Sequence, residues 1–128
     1  MDVLLDTHML IWAWEGDKRL TKAQRGLIAS SEVCPWVSII SLWEIAIKSS
    51  LGKLELQASL DELIGSLPEF QFNVLQLNFQ HVQLVATLPL HHRDPFDRML
   101  IAQAKHEGMH LLTADPHFAA YDVPVIHS

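Results

Sequence analysis

The segment DPFDRMLIAQAKHEGMHLLTAD, from Asp94 to Asp115, decides the fold class of this chain. Its first part is the most clearly delimited helix in the sequence, because Pro95 suits a first helical turn and Gly108 follows the last one. Its second part, HLLTAD, has the pattern of a buried strand that ends near Asp115. A helix that leads directly into a buried strand is typical of an α/β domain.

The same alternation runs through the rest of the chain. The other apolar segments that read as strands are DVLLD (Asp2 to Asp6), PWVSII (Pro35 to Ile40), FNVLQL and VPVI. Between them lie helical patterns: THMLIWAWEG, KAQRGLIASS with Thr21 as N-cap, SLWEIAIKSSLGKL with Gly52 as C-cap, Ser59 to Leu67, and NFQHVQLVATL. We therefore predict one α/β domain over residues 1–128, with a mainly parallel central sheet.

Composition narrows the class of protein. The chain is 49% hydrophobic, and no apolar run reaches the roughly 18 residues of a membrane span. The N-terminus lacks the basic segment of a signal peptide, and a single cysteine, Cys34, excludes an internal disulfide. We expect a cytoplasmic protein. The net charge of −6 disfavours binding of nucleic acid by charge alone, but a nuclease stays possible because divalent cations reverse the sign of an acidic site.

Each acid of interest has an adequate local explanation. Asp6 and Asp115 follow apolar strands and are natural helix N-caps. Glu44 stands three residues after Ser41, the spacing of a capping box, and four residues before Lys48, the spacing of a helical ion pair. In DPFD, the first aspartate is a natural N-cap and the second lies in the first helical turn. Considered separately, these acids need no function.

Considered together, they predict a metal site. All of them follow a strand or begin a helix, and in a parallel sheet such positions converge on the carboxyl edge. Carboxylates gathered there repel one another unless cations lie among them. Oxygen ligands without a Cys/His framework favour Mg²⁺ or Mn²⁺ over structural zinc. Such ions activate water for phosphodiester cleavage.

Four blocks of sequence carry a resemblance to a known family. LLDTHMLIWAWEGDKRL, SLWEIAIKSSLGKLEL, LPLHHRDPFDRMLIAQA and LLTADPHFAAYDVPVI, in this order and spacing, resemble a PIN domain, and closely the toxins of VapBC-type toxin–antitoxin modules. The resemblance implies a three-layer α/β/α fold and a Mg²⁺- or Mn²⁺-dependent endoribonuclease. It also implies a cognate antitoxin as partner, a homodimer, and RNA as substrate.

The resemblance also assigns residues to the site. The catalytic, metal-binding acids it implies are Asp6, Glu44, Asp97 and Asp115. Thr7 and Thr113 match polar positions that assist the site, and Asp94 matches an additional acid, which we rank as secondary. Arg98, or Arg93, is a candidate for holding the scissile phosphate or for serving as counter-ion of the acids.

Several alternatives stay open from the sequence. A haloacid-dehalogenase-like phosphotransferase or phosphatase also uses an aspartate after its first strand, but it normally has a second aspartate two residues later, where this chain has His8. A non-catalytic binding module would keep the acids for stability or partner contact. The eight histidines show no metal-ligand spacing, and we interpret them as structural or exposed, with His8 as the exception to watch.

Overall fold

The computed structural model describes residues 1–127. Its centre is a parallel sheet with strand order β3-β2-β1-β4-β5. The strands are, in chain order, β1 (Asp2–Leu5), β2 (Cys34–Ser38), β3 (Asn73–Leu75), β4 (His110–Leu112) and β5 (Val125–Ile126). The prediction of a mainly parallel sheet is confirmed, although several strands are shorter than the apolar segments that predict them.

Six α-helices connect the strands. They are α1 (Thr7–Glu15), α2 (Lys22–Ala29), α3 (Ile39–Ser50), α4 (Leu60–Ser66), α5 (Phe79–Thr87) and α6 (Pro95–Glu107), and a short 3₁₀ helix covers Pro116–Ala120. The predicted caps at Thr21, Asp94 and Gly108 are present. Helix α3 ends at Ser50 with Leu51 as C-cap, one residue before the predicted Gly52. Within residues 1–127, no helix has the length and apolar character needed to cross a membrane.

Two apolar cores flank the sheet. Val3 and Leu5 of β1 face a core formed with α1, α3 and α4, whereas Leu4 faces the opposite core, formed largely with α6. This division follows from the period of two along a strand, and it requires β1 to be apolar on both faces. The result is the three-layer α/β/α arrangement. The central position of β1 places the residue after it, Asp6, in the middle of the carboxyl edge.

The boundary between β2 and α3 differs from the prediction. The strand predicted to reach Ile40 ends at Ser38, whose side chain caps α3 by accepting a 3.0 Å hydrogen bond from the Ile40 N–H. The helix therefore begins before Ser41, and the predicted capping box of Ser41 with Glu44 is wrong. Glu44 instead lies inside the helix, where it is buried.

Candidate acidic site

A polar pocket of 160 Å³ opens at the carboxyl edge of the sheet. Its walls are built from the ends of β1 and β4 and from α3 and α6. The structure brings together here all of the acids singled out from the sequence. The acidic lining residues are Asp6, Glu44, Asp94, Asp97 and Asp115, joined by Thr7, His8, Lys48 and Phe118.

Asp6 is held at the base of the pocket. One oxygen, Oδ1, caps α1 by accepting a 2.9 Å hydrogen bond from the Met9 N–H, and Oδ2 accepts a 2.5 Å bond from the Thr113 hydroxyl. The residue is only 5% exposed. Burial raises the pKa of Asp6 above its ordinary value, although the hydrogen bonds from Thr113 and Met9 act in the opposite direction. The local interpretation of Asp6 as a cap is thus correct, and it fixes the carboxylate in the pocket.

Glu44 enters the pocket from the second turn of α3. The Thr7 hydroxyl donates a 2.6 Å hydrogen bond to its Oε1 and lies 3.0 Å from the Ser41 hydroxyl oxygen. Lys48, one helical turn further on, forms an ion pair with Oε2. Burial by itself lowers the pKa of Lys48, but the hydrogen bond and the negative charge of Glu44 outweigh it and raise that pKa. The ion pair supplies the counter-charge that a buried carboxylate requires.

The start of α6 contributes two carboxylates with different surroundings. Asp94 caps the helix, and its Oδ1 accepts hydrogen bonds of 2.9 Å from the Phe96 N–H and 3.0 Å from the Asp97 N–H. Asp97 lies in the first turn of the helix, and its Oδ2 is 3.5 Å from the ring nitrogen Nε2 of His92. The cap therefore positions Asp97, as the spacing predicts.

Thr113 links the fourth acid to the first. Its hydroxyl donates to Asp6 and accepts a 2.9 Å hydrogen bond from the Asp115 N–H. Asp115 caps the 3₁₀ helix, and its Oδ1 accepts hydrogen bonds from the backbone N–H and the ring of His117. Burial by itself raises the pKa of Asp115, but the bonds from His117 outweigh it and lower that pKa. Asp115 is therefore ionised at neutral pH.

Asp97 is both buried and repelled by the other carboxylates of the pocket. Burial, followed by the negative charges of Asp94, Glu44, Asp6 and Asp115, raises the pKa of Asp97 to about 8. Desolvation and like charges both disfavour ionisation, so the apo protein keeps a proton on Asp97 at neutral pH. A bound cation would reverse this preference. Such strongly shifted groups cluster at functional sites.

Two histidines that we interpret from the sequence as structural or exposed lie beside acids of the pocket. His92 lies beside Asp97, and its Nε2 is buried without a hydrogen-bond partner within residues 1–127. His117 bonds Asp115, and the two imidazole rings stack with centroids 5.8 Å apart. Burial lowers the pKa of His92, against the effect of the negative charges of Asp115 and Asp94. The sequence does contain a signal for their place beside the acids, because His92 lies two residues before Asp94 and His117 two residues after Asp115.

Arg98 does not reach the acidic pocket. Its guanidinium donates hydrogen bonds to the carbonyls of Pro89, Val85 and Leu88, and to the Tyr121 hydroxyl. Although Arg98 follows Asp97 directly, consecutive residues of a helix project in different directions. Arg98 thus ties α6 to the end of α5.

The chemistry of the pocket suits a hard divalent cation. Carboxylate oxygens are the ligands that Mg²⁺ and Mn²⁺ prefer, and burial together with four neighbouring carboxylates raises the pKa of Asp97. Within residues 1–127, no three His, Cys, Asp or Glu side chains are already grouped closely enough to hold a metal. Mg²⁺ does not need such a cage, because it keeps several waters and binds through one or two carboxylates together with substrate phosphates.

Comparison with known structures shows the same fold in toxin–antitoxin complexes. The chain is similar to a chain of VapBC2 from Rickettsia felis bound to a DNA fragment from their promoter, with 15% identity, a TM-score of 0.72 and 98% of each chain covered. It is also similar to a chain of a toxin–antitoxin complex from Klebsiella pneumoniae, with 19% identity, a TM-score of 0.68 and 98% and 96% covered. VapBC-1 from nontypeable Haemophilus influenzae gives 18% identity, a TM-score of 0.67 and 98% and 97% covered.

Sequence comparison assigns the family. A comparison with curated proteins finds no significant match. Residues 3–124, nearly the whole chain, match the family described as PIN domain. This match agrees with the parallel five-stranded sheet and with the fold of the solved structures. The chain belongs to the PIN domain family.

Proposed function

We propose that this protein is a divalent-metal-dependent endoribonuclease and the toxin of a VapBC-type toxin–antitoxin module. The observation that carries the proposal is the convergence of five carboxylates on one 160 Å³ pocket at the carboxyl edge of the sheet. Membership of the PIN domain family, whose members are nucleases, supports the reaction class. The likeness to chains of toxin–antitoxin complexes supports an antitoxin partner.

The residues that would hold Mg²⁺ or Mn²⁺ are Asp6, Glu44 and Asp97, with Asp115 completing the site and Asp94 beside it. When bound, such an ion supplies Lewis acidity, which acidifies water and stabilises charge that develops on phosphodiester oxygens. A bound cation would favour the ionised form of Asp97, because its positive charge would offset the burial and the neighbouring negative charges that raise the pKa of Asp97.

The remaining residues orient these acids. Thr113 fixes Oδ2 of Asp6, and Thr7 fixes Oε1 of Glu44, so that neither carboxylate rotates freely. Lys48 offsets the charge of Glu44 in the metal-free protein. Because Asp6 and Glu44 are 5% and 3% exposed, the base of the pocket excludes most water, and electrostatic interactions there are stronger than at the surface.

The proposal includes a homodimer, which follows from the VapBC-type assignment, and a cytoplasmic location, which the composition of the chain favours. The phosphotransferase alternative is not retained, because the chain belongs to the PIN domain family and has His8 where a second aspartate is needed. The non-catalytic binding module is the alternative that experiment must exclude.

Cleavage of a panel of structured RNAs by the purified protein tests the proposal. With Mg²⁺ or Mn²⁺ the wild type is expected to cut at least one RNA, and EDTA is expected to abolish cutting. Asp97→Asn and Asp6→Asn should reduce cleavage to the EDTA level while the circular dichroism spectrum is kept.

Asp122→Asn is the matched control, because Asp122 is 99% exposed and lies outside the pocket. Its cleavage rate should equal that of the wild type. Metal-independent cleavage, or full activity of Asp97→Asn, would contradict the proposed site. A wild type that binds metal but cuts none of the RNAs would favour the binding module.

A further inference from the structure

A second pocket, largely apolar, adjoins the acidic one. Its volume is 590 Å³, within the range of about 300–1,000 Å³ typical of sites for small organic groups. Trp43 and Phe96 form part of its wall, with ring centroids 5.3 Å apart in an edge-to-face arrangement. Trp43 remains 57% exposed and Leu90 67% exposed. Trp43 and Leu90 therefore leave apolar surface exposed at this pocket.

The two pockets share their dividing wall. Trp43 lines the apolar pocket and the next residue, Glu44, lines the acidic one. At the start of α6, Pro95 and Phe96 line the apolar pocket, while Asp94 and Asp97 on either side line the acidic one. A molecule in the apolar pocket would therefore lie next to the carboxylates, separated from them only by the backbone of α3 and of the start of α6.

Two arginines in the apolar pocket have no acidic partner. Arg93 and Arg98 both line it, and within residues 1–127 neither forms an ion pair with a carboxylate. The guanidinium of Arg98 already donates hydrogen bonds to backbone carbonyls and to the Tyr121 hydroxyl. It would therefore offer a ligand its positive charge rather than further hydrogen bonds. Arg93 is exposed and free to contact a ligand directly. The residues that line this pocket thus include two arginines and no acid.

These observations select one kind of occupant. An aromatic wall favours a flat ring, and unpaired arginines favour phosphate. We propose that the apolar pocket is a nucleotide subsite for single-stranded RNA, in which an unstacked base lies against Trp43 and Phe96 and its phosphate faces Arg93. The inference rests on the proposed ribonuclease function, and it assigns to this pocket the binding of a base next to the phosphodiester at the acids. The arginines offset the repulsion that the carboxylates exert on RNA.

Binding can be measured apart from cleavage in an Asp97→Asn background. The probes are fluorescein-labelled twelve-nucleotide homopolymers of U, C and A, and the readout is fluorescence anisotropy. Trp43→Ala should raise Kd about tenfold or more, as expected for loss of one base–aromatic stack. Trp43→Phe should restore part of the affinity. Arg93→Ala should weaken binding to all three probes and reduce the salt slope by about one.

Phe70→Ala is the matched control. Phe70 is also an exposed aromatic residue, but it lines a pocket with Cys34 and Pro35 at the opposite edge of the sheet. Its Kd should equal that of the Asp97→Asn parent. Mass measurement by light scattering accompanies each titration, so that a change of oligomeric state is distinguished from a change of RNA affinity.

The outcomes separate the two proposals. Unchanged Kd in Trp43→Ala, absence of binding to any probe by the parent, or a changed oligomeric mass with unchanged Kd would overturn the subsite. If binding depends on Trp43 and Arg93 but the wild type cuts no RNA, the subsite stands and the ribonuclease function fails. If the wild type cuts RNA and Trp43→Ala cuts it with unchanged KM and kcat, the ribonuclease function stands and the subsite fails.

Discussion

The Thr113 hydroxyl lies 2.5 Å from Oδ2 of Asp6 and joins the ends of two adjacent parallel strands, β4 and β1. Both residues are buried, and the same hydroxyl accepts the Asp115 N–H. A single side chain therefore orients one acid and anchors the backbone of another.

Thr113→Val removes this hydroxyl at nearly constant volume. It leaves a buried carboxylate oxygen and a backbone N–H without a partner, so the free energy of unfolding should fall by about 1–3 kcal/mol. The measurement is urea unfolding followed by circular dichroism. Thr113→Ser keeps the hydroxyl and should lose less stability than the valine variant. Equal losses in both variants would show that the methyl group, not the hydrogen bonds, carries the effect.

Asp97 makes the stability of the metal-free protein depend on pH. Its pKa is raised from the ordinary 3.8 to about 8, so between these pH values the folded state holds a proton that the unfolded state has lost. The contribution of Asp97 to stability is therefore present at low pH and is lost as pH rises towards 8, with a slope of up to about 1.4 kcal/mol per pH unit.

The measurement is the difference in unfolding free energy between wild type and Asp97→Asn, in EDTA, from pH 4.5 to 8.5. The asparagine variant should become relatively more stable as pH rises, because groups common to both proteins cancel. Mn²⁺ should flatten the wild-type curve. A constant difference across this range would show that the proton is not held on Asp97.

Substitution of Lys48 tests whether a cation binds near Glu44 in the acidic pocket. Lys48→Met leaves Glu44 buried without its counter-charge, and in EDTA the free energy of unfolding should fall by about 1 kcal/mol or more, a modest figure because Lys48 is 34% exposed. Added Mn²⁺ should then raise Tm more in this variant than in the wild type. Lys53→Met, a change at an exposed lysine beyond the end of α3, is the control. Equal metal-induced shifts would contradict a cation near Glu44.

Two substitutions of Asp94 distinguish its role as a helix cap from a role in the metal site. Asp94→Ala removes the cap of α6 and should lower the free energy of unfolding by about 1 kcal/mol, whereas Asp94→Asn should change it little, since asparagine caps as well as aspartate. If Asp94 assists the metal site, both variants should lower RNA cleavage, and less than Asp97→Asn does. Wild-type cleavage by Asp94→Asn would restrict Asp94 to capping.

The parts of the site set by local sequence were predictable. A strand, an acid and a helix follow one another at Asp6, Asp97 begins a helix behind Pro95, and parallel strands bring such positions to one edge. The start of α3 was not predictable, because Ser38 and Ser41 are both suitable caps. The structure selects Ser38, whose hydroxyl donates a hydrogen bond to Gln103, 65 residues away.

Long-range contacts also decide which basic groups reach the acids. His92 comes to Asp97 because its ring and backbone bond the Tyr121 hydroxyl, 29 residues further along the chain. Arg98 turns away from the acids because its guanidinium donates hydrogen bonds to the Val85 and Leu88 carbonyls at the end of α5. The spacing places His92 near Asp94, but it does not show that Arg98 turns away from the acids.

In two of the capping acids, only one carboxylate oxygen takes part in the helix cap. In Asp94 and Asp115 the oxygen Oδ1 accepts both of the local hydrogen bonds. Helix stability therefore places no demand on the second oxygen, and asparagine would serve the fold equally well. If Asp94 and Asp115 served only as caps, asparagine at both positions would leave the two helices intact. The helix caps therefore do not explain why both residues are aspartate.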